Sequence, residues 1–256
     1  MAEFSNTYVT EPGKQTWLSK LMPTPFFYMD MANLVCSSGL FAKWHDYNDE
    51  RWLADSFKAL RVLERSGVQI HVENIDVVRN LEGPVVYIGN HMSTLETFLL
   101  PAFIRSFQPV TYVIKQSLVE YPIFKHVMRS RNPIVVGRDN PKADLIKVMK
   151  EGQERIASGI SVIVFPQTTR ALTFDRSQFN SIGVKLAKKA GVKVVPLALK
   201  TDAWSPGKWH KDYGPIYADR PVHVRFGQAM EVVGSGKETH EAIGDFIEQS
   251  LAEWTL

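Results

Sequence analysis

The 256-residue chain has a single cysteine, Cys36, so no disulfide can form within it and no zinc site of the multi-cysteine type is available. It has no apolar run of about 20 residues, the length a membrane-spanning helix needs. The most apolar stretch, residues 21–44, is interrupted by Pro23, Pro25, Asp30, Asn33 and Ser37-Ser38-Gly39, which suits a segment lying on a membrane better than one crossing it. Residues 1–15 are polar and carry no basic start, which argues against a cleaved leader. No Gly-x-Gly-x-x-Gly follows an early strand, so dinucleotide binding is set aside. The net charge of +3 is too small and too dispersed for a nucleic-acid binder, though it suits an anionic lipid surface or a phosphate-bearing substrate. No second histidine stands at ligand spacing from His91, so no metal is expected.

Hydrophobic periodicity alternates between two kinds. Leu53, Phe57, Leu60 and Leu63 recur at helical spacing before Gly67. Val68, Ile70 and Val72 then alternate with polar residues at strand spacing. Further strands are expected at 85–88, 110–114, 134–136, 162–165, 194–199 and 222–226, with helices starting near Thr94 and covering 142–158, 179–189 and 238–254. In the 142–158 helix, Leu145, Met149 and Ile156 are expected to face inward. The alternation predicts an α/β fold: a largely parallel mixed sheet flanked by helices. Residues 1–66 form an N-terminal helical segment and 67–256 the main domain. Within residues 16–47, Trp17, Leu21, Phe26, Phe27, Met29, Leu40 and Trp44 fit either an interfacial anchor or a helical pair packed on the core, and one helix can do both. The segment 204–219, rich in proline, glycine and aromatics, has the length of a binding loop.

Four segments could carry chemistry. Gly89-Asn90-His91-Met92-Ser93-Thr94-Leu95-Glu96 follows a strand and opens a helix, at the strand end where open α/β sheets bind ligands. Glu96 could orient His91 as a general base. Equally, Ser93 and Glu96 could form a capping box, with Glu96 only starting the helix. Phe165-Pro166-Gln167-Thr168-Thr169-Arg170 offers hydroxyls, amides and a guanidinium after another strand, and Arg170 is either a phosphate ligand or a surface arginine. Arg138, in Gly137-Arg138-Asp139-Asn140-Pro141, could meet an anion or pair with Asp139. Lys115 ends a fourth strand. Three cations at the ends of three strands would converge at one edge of a parallel sheet.

In order and spacing these segments resemble the lysophospholipid acyltransferases, the family that includes the bacterial 1-acyl-glycerol-3-phosphate acyltransferases. Asn90 to Glu96 is similar to the family's Asn-His-x-Ser-x-x-Asp block. Lys115, Pro122-Ile123-Phe124 and Ile134 to Arg138 are similar to its second block. Phe165 to Arg170 resembles Phe-Pro-Glu-Gly-Thr-Arg, and Val195-Pro196-Leu197-Ala198-Leu199 its Val-Pro strand. The resemblance covers roughly residues 68–230. It implies direct acyl transfer from acyl-CoA or acyl carrier protein to a lysophospholipid hydroxyl, with no cofactor and no covalent enzyme intermediate. It further implies His91 as base, Glu96 as its partner, Arg138, Arg170 and Lys115 on the acceptor phosphate, and amides near Thr168 and Thr169 at the oxyanion. Gln167 would join the substrate-binding set. The expected location is peripheral, on the cytoplasmic face of a membrane, through the N-terminal helical pair. Two departures bear on the acceptor: Glu96 replaces the family's Asp, and Gln167-Thr168 replaces its Glu-Gly. A lipid-binding relative without catalysis and a thioester hydrolase are the competing readings. Retention of His91 beside a carboxylate argues against the first, and two arginines surplus to water argue against the second.

Overall fold

A computed structural model describes residues 5–167, 169–208 and 212–255. Strand β1 (Tyr8–Val9) is followed by helices α1 (Trp17–Leu21), α2 (Pro23–Trp44) and α3 (Asp49–Arg65). Then come β2 (Ile70–Glu73), α4 (Ile75–Arg79), β3 (Val86–Gly89), α5 (Leu95–Ile104), β4 (Val110–Lys115), α6 (Phe124–Ser130) and β5 (Ile134–Val136). The chain continues through α7 (Pro141–Ala157), β6 (Ser161–Val164), α8 (Ile182–Ala190), β7 (Val194–Lys200), β8 (Val222–Phe226) and α9 (Lys237–Glu253).

The eight strands form one sheet in the order β1-β2-β8-β7-β3-β6-β4-β5. Strands β7, β3, β6, β4 and β5 run parallel, as does the β2–β8 pair, while β1–β2 and β7–β8 are antiparallel. The expected largely parallel mixed sheet is therefore present. Alternate residues of each central strand enter opposite apolar cores. Tyr87, Ile163, Val195 and Leu197 pack towards α2, α3, α5 and α6, whereas Val86, Ile88, Val162 and Val164 pack towards α7, α8 and α9. Both faces are covered, which explains strands that read as continuous apolar runs.

Three local expectations need correction. Pro23 and Pro25 do not interrupt α2: Pro23 is the first residue of a 22-residue helix, where a missing N–H costs nothing and the fixed φ suits a helical start. In helix α7 Ile156 faces inward as expected and Met149 packs half-buried against the core, but Val148 and Gly152 take the centre of that face and Leu145 is only half-buried. Gly152 sets this register, because a Cβ there would lie 2.7 Å from the Leu186 side chain of α8. Helix α8 starts at Ile182 rather than 179, since the Asn180 side chain takes the Ile182 N–H at 3.0 Å and ends the preceding turn.

Helix α2 uses both its faces. Phe27, Met31 and Leu34 join the core shared with the sheet, and Ser38 donates to buried Asp55 at 2.6 Å. A Cβ on Gly39 would lie 2.8 Å from the Ile123 carbonyl oxygen, so this glycine sets the close approach to the start of α6. Outward, Met22, Met29, Leu40 and Trp44 are exposed, together with Trp17, Leu18 and Leu21 from α1. No described helix is long and apolar enough to cross a membrane.

One titration is built into the sheet where β2 and β8 pair. His223 on β8 stacks on His71 of β2, with centroids 4.9 Å apart, and on Trp254, at 5.0 Å. Burial, then the neighbouring His71 and Lys200, push His223 from 6.5 down to about 4. Below 6.5 the unfolded chain takes up this proton and the folded one does not, so stability falls as the pH drops from 6.5 towards 4. Urea midpoints at about pH 7 and about pH 5 should differ in the wild type and converge in His223→Gln. Equal pH dependence in the two proteins refutes the assignment.

Candidate active site

The parallel strands β3, β4, β5, β6 and β7 end along one edge of the sheet, and the candidate residues sit just beyond those ends. At the end of β3, Gly89 allows close contact with β7: a Cβ there would be 2.8 Å from the Leu197 Cβ. The buried Asn90 then continues the β3–β7 pairing with its side chain, donating to the Leu199 carbonyl at 2.7 Å and accepting from the Leu199 N–H at 2.9 Å. The chain thus leaves the sheet at a fixed point, and His91 follows.

Both main-chain groups of His91 are held by the turn after β6. Its N–H donates to Gln167 Oε1 at 2.8 Å, and its carbonyl accepts from Ala171 N at 2.9 Å. The ring lies flat on Phe165, with centroids 4.6 Å apart and planes 5° from parallel. His91 Nδ1 bonds Glu96 Oε2, which leaves Nε2 as the nitrogen available to a substrate. The side chain is 16% exposed, so the ring is sheltered but reachable.

Glu96 is fully buried in the first turn of α5. Its second oxygen, Oε1, accepts from Met92 N at 2.8 Å, Ser93 N at 2.9 Å and Thr201 Oγ1 at 2.7 Å. The dyad and the helix-start readings are therefore both realised, one per carboxylate oxygen. The capping box is incomplete in its other half, because Ser93 Oγ accepts from Leu95 N, at 3.2 Å, rather than from Glu96 N. Three donors and a helix N-terminus are aimed at this carboxylate, which accepts from all three. An ionised Glu96 holds a proton on Nδ1 and makes Nε2 the basic nitrogen.

Two arginines stand beyond strand ends on the same edge as this turn. Arg138, two residues beyond β5, adopts a left-handed φ of 72°. Its N–H and that of Gly137 donate to the Asp144 carboxylate at 2.8 and 3.0 Å, so Asp144, not Asp139, anchors this turn. Burial pushes the Arg138 guanidinium down, Asp144 opposes this, and the Arg170 charge pushes it down further. Arg170 donates to Thr94 Oγ1 and pairs with Asp212 of the 204–219 segment. Paired, partly desolvated guanidinium groups are suited to a phosphate. Lys115 is exposed at the end of β4, in register with Val136 of β5, on the same edge as Arg138.

The rest of the third segment is divided. Gln167 is buried, and its side chain serves the His91 backbone. Thr169 is exposed. Thr168 lies outside the described residues. Sequence reasoning missed Phe165 as the floor of the imidazole, Asp212 as the partner of Arg170, and Thr201 on Glu96. Thr201 could have been found, since it is the first residue beyond β7 on the edge that carries all the others.

A histidine–carboxylate pair at the strand ends of a parallel sheet, with arginines on the same edge, is suited to general-base chemistry on an anionic substrate. The chain belongs to the acyltransferase family, whose model matches residues 69–200, just over half of its length. It is 29% identical over 209 residues to a 1-acyl-sn-glycerol-3-phosphate acyltransferase of Pseudomonas aeruginosa, covering 80% of this chain and 76% of that protein. To a chloroplastic 1-acyl-sn-glycerol-3-phosphate acyltransferase of Arabidopsis thaliana it is 28% identical over 131 residues, which is 51% of this chain and 36% of the plant protein. The fold matches the crystal structure of a 1-acyl-sn-glycerophosphate acyltransferase from Thermotoga maritima, with a TM-score of 0.68 at 18% identity, covering 93% of this chain and 97% of that one. The chain is thus an acyltransferase with the fold that its sequence pattern implied.

Proposed function

We propose that this acyltransferase moves a fatty acyl group from acyl-CoA or acyl carrier protein to the free hydroxyl of 1-acyl-sn-glycerol-3-phosphate. It works peripherally on the cytoplasmic face of a membrane. The observation that carries the reading is the His91–Glu96 pair, with Nδ1 engaged and Nε2 available, beside Arg138 and Arg170. Nε2 takes the hydroxyl proton as the acceptor oxygen attacks the thioester carbonyl. The tetrahedral intermediate then expels the thiolate, which receives that proton from the imidazolium. No covalent enzyme intermediate and no cofactor are required. The acceptor phosphate lies against Arg138 and Arg170, with Lys115 at the same edge. The relatives named 1-acyl-sn-glycerol-3-phosphate acyltransferases support this choice of acceptor.

Thiol release from acyl-CoA tests the reading directly. Release that requires 1-acyl-sn-glycerol-3-phosphate supports it. Release without any acceptor points to a thioester hydrolase, and release with a different lysolipid only would replace the acceptor. Arg170→Ala should raise the acceptor KM roughly 10–100-fold, the worth of one or two charge-assisted hydrogen bonds, and leave the donor KM unchanged. An unchanged acceptor KM removes Arg170 from the phosphate site.

A further inference from the structure

We infer that Thr201 is a positioning residue for catalysis, fixing both the placement and the charge of Glu96 and, through it, the basicity of His91. The inference rests on the proposed general-base role of the His91–Glu96 pair.

Thr201 is the first residue after β7 and is fully buried. Its hydroxyl lies 2.7 Å from Glu96 Oε1 and 2.9 Å from Ser93 Oγ. An ionised carboxylate only accepts, so the single Thr201 proton must point at Glu96. The Thr201 oxygen is then left to accept from Ser93, and Ser93 in turn accepts from Leu95 N at 3.2 Å. Every donor in this chain therefore has one direction: Leu95 N–H to Ser93, Ser93 to Thr201, Thr201 to Glu96. Hydrogen bonds aligned in this way polarise one another, and the buried setting strengthens them.

The consequence for His91 follows from which oxygen is loaded. Met92 N, Ser93 N and Thr201 all place their protons on Oε1, so among the described residues Oε2 is left to the imidazole. Removing the hydroxyl takes away one of three donors and makes the carboxylate more basic. A more basic carboxylate holds the imidazolium more tightly, so His91 gives up its proton at a higher pH. The other groups around this turn stay in place: Arg170 on Thr94, Asp212 on Arg170, and the Tyr112 hydroxyl on the Glu96 carbonyl at 3.4 Å.

The test uses Thr201→Val, which keeps the side-chain shape, and Thr201→Ser, which keeps the hydroxyl. The His91 imidazole is titrated by NMR in the substrate-free protein, and the pH dependence of acyl transfer is measured alongside. Thr201→Val should move the His91 titration and the acid limb of the rate profile upward. It should lower kcat roughly tenfold with both KM values unchanged. Thr201→Ser should restore all three. A residue that only packs would lower the melting temperature without moving the titration. Ser93→Ala gives a second reading with Thr201 in place, and a smaller upward shift is expected. An unmoved His91 titration in Thr201→Val, or in Ser93→Ala should the valine variant not fold, overturns the assignment. Because the titration needs no substrate, it stands apart from the thiol-release experiment, whose failure would remove the proposed acceptor and leave the role of Thr201 open to measurement.

Discussion

Replacing His91 with alanine is expected to slow acyl transfer by roughly 10²–10⁴-fold, the usual contribution of a positioned general base. The fold should survive, because the main chain at this position is held independently by Gln167 and Ala171 and does not need the ring. What is lost structurally is the stack on Phe165 and the partner of one carboxylate oxygen, while the other oxygen keeps three donors. Donor and acceptor KM values should change little. Glu96→Gln separates the two jobs of that side chain. A glutamine has only one acceptor oxygen, and if it keeps the Met92 and Ser93 amides, its NH₂ faces His91. The ring must then accept at Nδ1 and carry its proton on Nε2, the wrong tautomer for a base. The expected result is a fall in kcat of the same order as for His91→Ala, with a small change in melting temperature. Activity near wild type in either variant would remove the dyad from the mechanism.

The architecture was legible in the sequence for a physical reason. Strands buried on both faces leave uninterrupted apolar runs, and amphipathic helices leave spaced ones, so the order of elements can be read from period alone. The active edge followed from this, because the segments carrying His91, Lys115, Arg138 and Arg170 each follow such a run. Features set by a single side-chain contact were not legible. The choice between dyad and cap for Glu96 had no answer from spacing, since the two roles use different oxygens of one carboxylate. Gln167 stands where a ligand-facing residue was expected, yet it points its carbonyl at a backbone N–H 76 positions earlier in the chain. The inner line of α7 depended on a glycine that matters only when Leu186 is opposite it. The short elements β1 and α4 span two and five residues, too few for a period to show.

Placing glutamates at Leu21, Met29 and Leu40 together is expected to abolish co-sedimentation with liposomes, lowering the partition coefficient at least ~100-fold. All three are exposed apolar residues on α1 and α2. Burying each such side chain is worth up to about 1.5–3 kcal/mol, and about 1.4 kcal/mol is a tenfold change, so even partial burial of three reaches that figure. The helix gives an internal reason to expect a lipid surface. Phe27, Met31 and Leu34 already fill the core on one side of α2, while another side carries Met29, Leu40 and Trp44 into solvent. A helix with large apolar residues on its outer side as well as its inner one is suited to a second apolar environment, and this one is flanked by exposed Trp17 and Lys20 near one end and by Lys43 and Trp44 at the other, as befits an interfacial helix. Deleting residues 1–47 would be the wrong experiment, because it strips Phe27 and Met31 from the core shared with the sheet. The glutamate variant touches only the outer face. Its activity on acceptor dispersed in detergent should match the wild type, while activity on acceptor embedded in vesicles should fall with the binding. Unchanged sedimentation would assign this face to a protein partner instead, and equal loss in detergent and vesicles would mean that the substitutions had reached the active site.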